Sequence, residues 1–140
     1  MKKSVMLSIR GMQRYPEQDP ETIELVTEGT LETYKDGWKL VYEESDLTGL
    51  AGVTTTFLVQ PSVVTLTRTG PLNSRMEFRE GIPHESLYQM EFGALMITVC
   101  AERIFAQMGN HGGMIDIIYQ IEIEQAAVGT VDYHLVIAAK

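Results

Sequence analysis

The sequence predicts an all-β fold, an antiparallel meander of about 8–10 strands that closes into a barrel and occupies residues 1–140 as one domain. Apolar and polar residues alternate in segment after segment, most clearly in MIDIIYQIEIE at residues 114–124. A period of two is typical of half-buried strands. Short breaks containing Gly, Pro and Asn separate the segments, and such short connections favour antiparallel neighbours. Closure is expected because it removes the two exposed edges of an open sheet.

The turn residues support this division into strands. Lys35-Asp36-Gly37 and Asn110-His111-Gly112-Gly113 supply the positive-φ residues that tight hairpins need. Gln60-Pro61-Ser62 and Gly81-Ile82-Pro83 interrupt pairing, because proline lacks the backbone donor. Residues 101–108 fit either a strand end or about two helical turns, and we assign them to a strand. The predicted strands lie near residues 3–10, 22–34, 38–44, 53–60, 62–68, 74–79, 86–92, 94–105, 113–125 and 129–139.

A few polar residues fall on the apolar, inner faces of these strands. Glu44 and Arg68 continue the apolar faces of their strands, and Tyr88 shares a face with Met90 and Phe92. These assignments hold if no β-bulge shifts the local register. The polar residues predicted to face the interior, and to line a ligand site there, are Tyr42, Glu44, Thr55, Arg68, Tyr88 and Tyr119.

Two interpretations of this polar set remain open. In the first, Glu44 and Arg68 reach the solvated rim of the barrel, while the tyrosines pack their rings and hydrogen-bond to nearby backbone. In the second, the two charges form an interior ion pair or contact a bound ligand, since burying either charge alone costs several kcal/mol. A barrel of this size encloses either packed side chains or one small ligand.

Charge and composition narrow the partners and the compartment. The formal net charge of −8 disfavours nucleic acid and anionic membrane surfaces as partners. Residues 4–9 are too short an apolar run for a signal peptide, and no apolar run is long enough to span a membrane. The single cysteine, Cys100, leaves no internal disulfide, which is typical of a reducing compartment and predicts a cytoplasmic protein.

The sequence predicts no catalytic residues, no metal site and no cofactor. Asp132 and His134 share a strand face, but two ligands at that spacing are a weak metal signal. Ser45, Ser74 and Ser86 lack the glycine context of a nucleophile elbow. The sequence therefore favours a binding protein over an enzyme, and a strongly raised pKa of Glu44 in a cleft would restore the enzymatic interpretation.

Several segments together resemble a known family. They are YEESDLTGLAGVTTT at 42–56, TRTGPLNSRMEF at 67–78, the tyrosine and glycine of YQMEFG at 88–93, GGMIDIIYQIEI at 112–123, the terminal YHLVIAAK, and VTEGTLE at 26–32. In order and spacing they resemble the YwiB-like family of small bacterial proteins, catalogued as a domain of unknown function. The resemblance implies a lipocalin-like β-barrel and supplies no catalytic residues. The chain departs from the family pattern at residues 89–91, where a Thr-Pro pair commonly precedes the glycine.

Two functions of different kinds compete. The first is non-catalytic binding of a small molecule in the barrel interior, which predicts a cavity of a few hundred cubic ångströms open at one end. The second is a protein-interaction or regulatory module with a filled core that works through an outer face or an edge strand, which predicts no cavity and an exposed apolar patch. We rank small-molecule binding first.

Overall fold

The described residues form ten β-strands. The computed structural model describes residues 2–45, 50–124 and 126–140. The segment 42–56 and the predicted strand 113–125 each include residues outside these ranges. The strands are β1 Lys3–Arg14, β2 Glu21–Tyr34, β3 Gly37–Glu43, β4 Thr54–Gln60, β5 Val63–Thr69, β6 Ser74–Phe78, β7 Pro83–Met90, β8 Gly93–Gly109, β9 Gly112–Ile123 and β10 Ala126–Ala139.

The strands form one antiparallel sheet that curls into a nearly closed barrel, which confirms the predicted fold. The strand order is β6-β5-β4-β3-β2-β1-β10-β9-β8-β7, so β1 pairs with β10 and joins the two ends of the chain. The first and last strands of this order, β6 and β7, meet at a bridge between Asn73 and Gln89. Each of these residues donates its N–H to the carbonyl of the other at 2.8 Å. Two predicted turns also hold, since Lys35 has φ 50° and Gly112 has φ 129°.

Side chains complete the seam between β6 and β7. The Glu77 N–H donates to His84 Nδ1 at 3.2 Å, so an imidazole replaces a backbone acceptor. The Glu77 carboxylate accepts hydrogen bonds from Arg79 at 2.9 Å and from Arg75 at 3.3 Å. The seam is therefore closed by the backbone bridge and by His84, whose Nε2 also lies 3.5 Å from the Glu77 carboxylate that the two arginines hold in place.

We expect Glu77→Gln to remove part of the acid sensitivity of the fold. The Arg79 hydrogen bond lowers the pKa of the Glu77 carboxyl, partial burial opposes this, and Arg75 and His84 reinforce it. Because the pKa is lower in the folded state, Glu77 stabilises the barrel above its unfolded-state pKa and loses this contribution as the pH falls through the folded-state value. Thermal unfolding should therefore separate the variant from the native protein at about pH 7, and the difference should shrink as the pH falls through the folded-state pKa of Glu77.

The matched control for this prediction is Glu85→Gln, which changes an exposed carboxylate on β7. It should leave the unfolding temperature at neutral pH almost unchanged. If Glu77→Gln and Glu85→Gln have the same unfolding temperature at neutral pH, Glu77 does not stabilise the seam between β6 and β7.

The inner faces of the strands form one apolar core. Alternation along each strand sends every second residue inward, as the burial of β4 and β9 shows. The largest fully buried side chains are Phe57, Phe78, Leu7, Leu31, Leu40, Ile115, Ile117 and Leu135. The core therefore follows the faces that the apolar alternation predicts.

Residues 101–108 are strand, as assigned from the sequence. They belong to β8, whose pairing with β9 shifts register between Ala101 and Arg103. This β-bulge inserts one residue into β8. The inward-facing residues therefore have odd numbers up to Ala101 and even numbers after the bulge. Ile104 and Met108 consequently pack against the core.

The prediction for the end of β7 was wrong. The strand begins at Pro83 and ends at Met90, and Phe92 lies in the following turn with 96% of its surface exposed. Met90 is also exposed. Phe92 therefore does not share the inner face with Tyr88, because the alternation stops where the chain turns into β8, whereas Met90 keeps the parity of Tyr88 at the exposed end of the strand. The first strand is also longer than predicted and continues to Arg14.

In the described part of the chain, no helix is long and apolar enough to cross a membrane.

Candidate functional site

An internal cavity of about 320 Å³ lies at one end of the barrel. In an antiparallel meander the connections that follow odd-numbered strands lie at the same end, and those that follow even-numbered strands lie at the opposite end. The cavity residues Tyr15, Leu50, Tyr88 and Leu95 are half-buried and lie beside connections that follow odd-numbered strands. We call this the cavity end of the barrel.

The cavity wall is mostly apolar and carries a small polar cluster. The apolar lining comes from the inner faces of the strands and includes Ile9, Ile23, Leu25, Met76, Ile97, Ile121, Ile123 and Val131. The polar side chains in the wall are Gln13, Tyr15, Tyr42, Glu44, Arg68, Tyr88, Tyr119 and Tyr133. A ligand site of this kind typically has an apolar wall with a few convergent polar groups.

Three neighbouring strands bring Glu44, Thr55 and Arg68 together. Thr55 is paired in register with Tyr42 on β3 and with Arg68 on β5, so the inner faces of these strands meet here. Thr55 Oγ1 donates to Glu44 Oε2 at 2.5 Å, and Arg68 Nε lies 4.0 Å from the same oxygen. Glu44 is 8% exposed and the Arg68 side chain 15% exposed, so both charges lie inside the barrel and not at its solvated rim.

The Arg68 guanidinium has a donor that the protein does not use. Arg68 Nε is buried, and no group in the described residues accepts a hydrogen bond from it. Burial works against its charged form, but the neighbouring Tyr133, Tyr119, Tyr42 and Glu44 outweigh burial and raise its pKa. Arg68 is therefore a permanent cation whose Nε–H has no hydrogen-bond acceptor among the residues that the structure describes.

Three tyrosine hydroxyls surround this cation. Tyr42 and Tyr133 share a hydrogen bond of 3.0 Å between their hydroxyl oxygens. Burial is the main cause that raises the pKa of Tyr42, and burial also raises the pKa of Tyr133. It raises the pKa of Tyr119 to about 12, although Arg68 acts in the opposite direction. All three side chains therefore stay protonated at neutral pH and can donate hydrogen bonds.

Five of the six predicted site residues line the cavity. Tyr42, Glu44, Arg68, Tyr88 and Tyr119 are part of its wall. Thr55 is fully buried behind the wall and contacts the site only through Glu44. Whether these residues bind a ligand stays a prediction.

Tyr133 was missed by the sequence analysis. It lies on β10, its ring packs on Phe57 with centroids 5.7 Å apart, and its hydroxyl joins Tyr42 to the cluster. The alternation of Val131, Tyr133 and Leu135 could have placed it on the inner face, since the flanking residues are buried.

The pair Asp132 and His134 lies on the outer face of β10. His134 Nδ1 contacts Asp116 Oδ1 on β9, its partner in the sheet register. Over the described ranges, no group of three or more His, Cys, Asp or Glu residues is arranged to hold a metal ion. The structure therefore brings His134 next to Asp116 and offers no additional ligand.

A larger depression of about 610 Å³ lies at the opposite end, between Trp38, Pro61 and Phe105. The carboxylates of Asp36 and Glu80 in its lining already accept hydrogen bonds that stabilise the fold. Asp36 accepts a hydrogen bond from Gln60, and Glu80 accepts one from the Ile104 N–H. The interior cavity is the better candidate site, because its polar groups are buried and partly unused.

Comparisons with known proteins agree on the fold. The model of a family described as "Domain of unknown function (DUF1934)" matches residues 7–135. The crystal structure of the ywiB protein from Bacillus subtilis superimposes with a TM-score of 0.88 at 21% sequence identity, covering 99% of this chain and 93% of that chain. Comparison with the curated proteins gives no match. At this identity the structural likeness establishes the barrel alone.

Proposed function

The chain belongs to the DUF1934 family, a domain of unknown function, and we propose that it binds a small molecule in the barrel interior without catalysing a reaction on it. The observation that carries this proposal is the Arg68 Nε–H at a mostly apolar cavity, since this buried donor has no acceptor in residues 2–45, 50–124 and 126–140. Leaving a buried donor unsatisfied is costly, and a bound acceptor would remove that cost. The cavity volume lies at the lower end of the range for ligand pockets.

The barrel architecture suits this role. An up-and-down meander that encloses a cavity is the arrangement that lipocalins use to hold ligands. As part of the proposal we place the protein in the cytoplasm, because its single cysteine fits a reducing compartment. Its net charge of −8 argues against nucleic acid or an anionic membrane surface as a partner.

A binding role fits the polar cluster better than a catalytic role. Thr55 and Glu44 have the contact that a nucleophile and a base would need. However, Thr55 has no exposed surface, so a substrate in the cavity could not reach its oxygen. In the proposed function Thr55 orients the Glu44 carboxylate.

One observation favours the second candidate function, a protein-interaction module. Phe92 is almost fully exposed at the cavity end, and Met90 and Leu87 on the adjacent strand are also exposed. Such a surface is typical of contacts between proteins. A mass spectrum free of small molecules, recorded on protein purified natively from its own host, would favour this candidate over ligand binding.

We expect Gly11→Val to abolish ligand binding and preserve the fold. Gly11 lies on the inner face of β1 in the cavity wall, where a Cβ would meet only Tyr133 Cδ2 at 4.0 Å. Valine suits a strand and would fill part of the cavity. Native mass spectrometry should therefore show a copurified small molecule with the natural sequence and none with the variant, while the unfolding temperature is unchanged or higher.

The control for this experiment is Thr22→Val, which adds apolar volume to an exposed position of β2. It should keep the copurified molecule. A Gly11→Val protein that still carries the molecule would show that binding occurs outside the cavity.

A further inference from the structure

Unused hydrogen-bond donors are concentrated on three consecutive strands. Arg68 on β5, Ser74 on β6 and Ser86 on β7 each contribute a buried polar atom that has no hydrogen-bond partner in the described residues. Arg68 and Ser74 are opposite each other in the sheet register. Ser74 is 7% exposed, so bulk solvent does not reach it freely. Of the three residues only Arg68 lines the cavity, with Ser74 beside it in the register, and this part of the barrel wall is the polar region around the Arg68 cation.

This region has an excess of donors over acceptors. The guanidinium carries five N–H groups, and each serine hydroxyl can also donate. The Tyr42–Tyr133 hydrogen bond uses one hydroxyl hydrogen and leaves the other available. The carboxylate of Glu44 already accepts the Thr55 hydrogen bond. A complementary ligand must therefore supply acceptors.

We infer that the ligand is a small amphipathic carboxylate, with its head group on Arg68 and its apolar body along the isoleucine-rich wall. This inference depends on the proposed function and specifies the chemistry of that same site. A carboxylate offers two acceptor oxygens and no donor, and it matches the fork of a guanidinium. It is monoanionic, which suits a site where Arg68 is the only basic side chain in the described wall.

Other head groups fit less well. A phosphate ester would place up to two negative charges near Glu44, whose Oε2 lies 4.0 Å from Arg68 Nε. An amine would face the Arg68 cation and bring more donors to a donor-rich region. An alcohol would accept fewer hydrogen bonds and carry no charge to pair with the guanidinium.

The cavity size limits the apolar body. At about 30 Å³ for each water-sized volume, the space holds on the order of ten such volumes. This is comparable to a carboxylate with a chain of about ten carbons. The apolar residues Ile9, Ile97 and Ile121 line the cavity beyond the polar cluster and would contact this chain.

Isothermal titration calorimetry with three probes of equal chain length tests the inference. The probes are decanoate, decan-1-ol and decylamine, titrated into the full chain at neutral pH. Decanoate should bind at least about tenfold more tightly than decan-1-ol, because a hydrogen bond to a charged group is worth that factor or more. Decylamine should bind more weakly than both.

Variants assign the selectivity to Arg68. Arg68→Gln should remove the preference for decanoate, so that the variant binds decanoate and decan-1-ol with similar affinity. Arg68→Lys keeps the charge but loses the fork geometry, so it should give an intermediate affinity. The matched control is Arg75→Gln on β6, whose side chain is 60% exposed, and it should bind all three probes like the natural sequence.

The outcomes separate this inference from the proposed function. Equal affinity for decanoate and decan-1-ol would overturn the carboxylate inference and leave binding in the cavity standing. Selectivity that survives Arg68→Gln would also overturn it. If no probe binds, the carboxylate inference fails, and the proposed function fails with it only if natively purified protein also carries no small molecule.

Discussion

Replacing Phe57 by alanine is expected to destabilise the barrel by about 3–5 kcal/mol. Phe57 lies on β4 with none of its surface exposed, and its ring packs against Tyr133 across the core. Removing the ring loses its transfer free energy and leaves a void that neighbouring strands cannot fill, because the sheet hydrogen bonds hold them apart. Urea denaturation would measure the loss as a lower midpoint at an unchanged slope.

The matched control is Phe92→Ala. It removes the same ring from a turn where 96% of the residue is exposed, so its effect should stay within about 0.5 kcal/mol. Similar losses for the two variants would contradict the packed core described for β4. A loss at Phe57 alone would confirm that the barrel depends on its inner face, which also supports Tyr133 in the polar cluster.

The fold was predictable because one physical signal repeats along the chain. Inner and outer faces alternate with a period of two, and residues such as Lys35 and Pro61 mark the turns where pairing stops. The signal weakens where the backbone departs from regular pairing. At Ala101–Arg103 the bulge changes the inward parity, so residues 101–108 show no single period and could be taken for helix.

The site was partly predictable for the same reason. Glu44 and Arg68 are polar residues in line with apolar faces, and the alternation places them inside. Phe92 was misplaced because its strand ends two residues earlier, and alternation carries no information beyond a turn. The pairing of Tyr42 with Tyr133 joins strands that are distant in sequence, so their contact depends on closure of the barrel.

Glu44→Gln is expected to destabilise the protein by about 3 kcal/mol. The substitution keeps the shape of the side chain and removes the carboxylate that pairs with Arg68, which leaves the buried cation without this partner. Arg68→Met should cost less, because Thr55 still donates to the Glu44 carboxylate. Combining both changes removes both charges, so the double variant should be more stable than the sum of the single losses predicts.

Denaturation of the two single variants and the double variant gives the coupling energy between Glu44 and Arg68, which we expect to be about 1–3 kcal/mol. The exposed pair Lys140 and Glu28 provides the control cycle, since its atoms lie 2.8 Å apart at the surface. Solvent screens that pair, so its coupling should be below about 1 kcal/mol despite the shorter distance. A coupling near zero for Glu44 and Arg68 would mean that the cavity charges are solvated independently, and it would remove the electrostatic basis for a shared ligand site. A larger coupling at 4.0 Å inside than at 2.8 Å outside would show that burial, not distance, sets the strength of the interaction in this barrel.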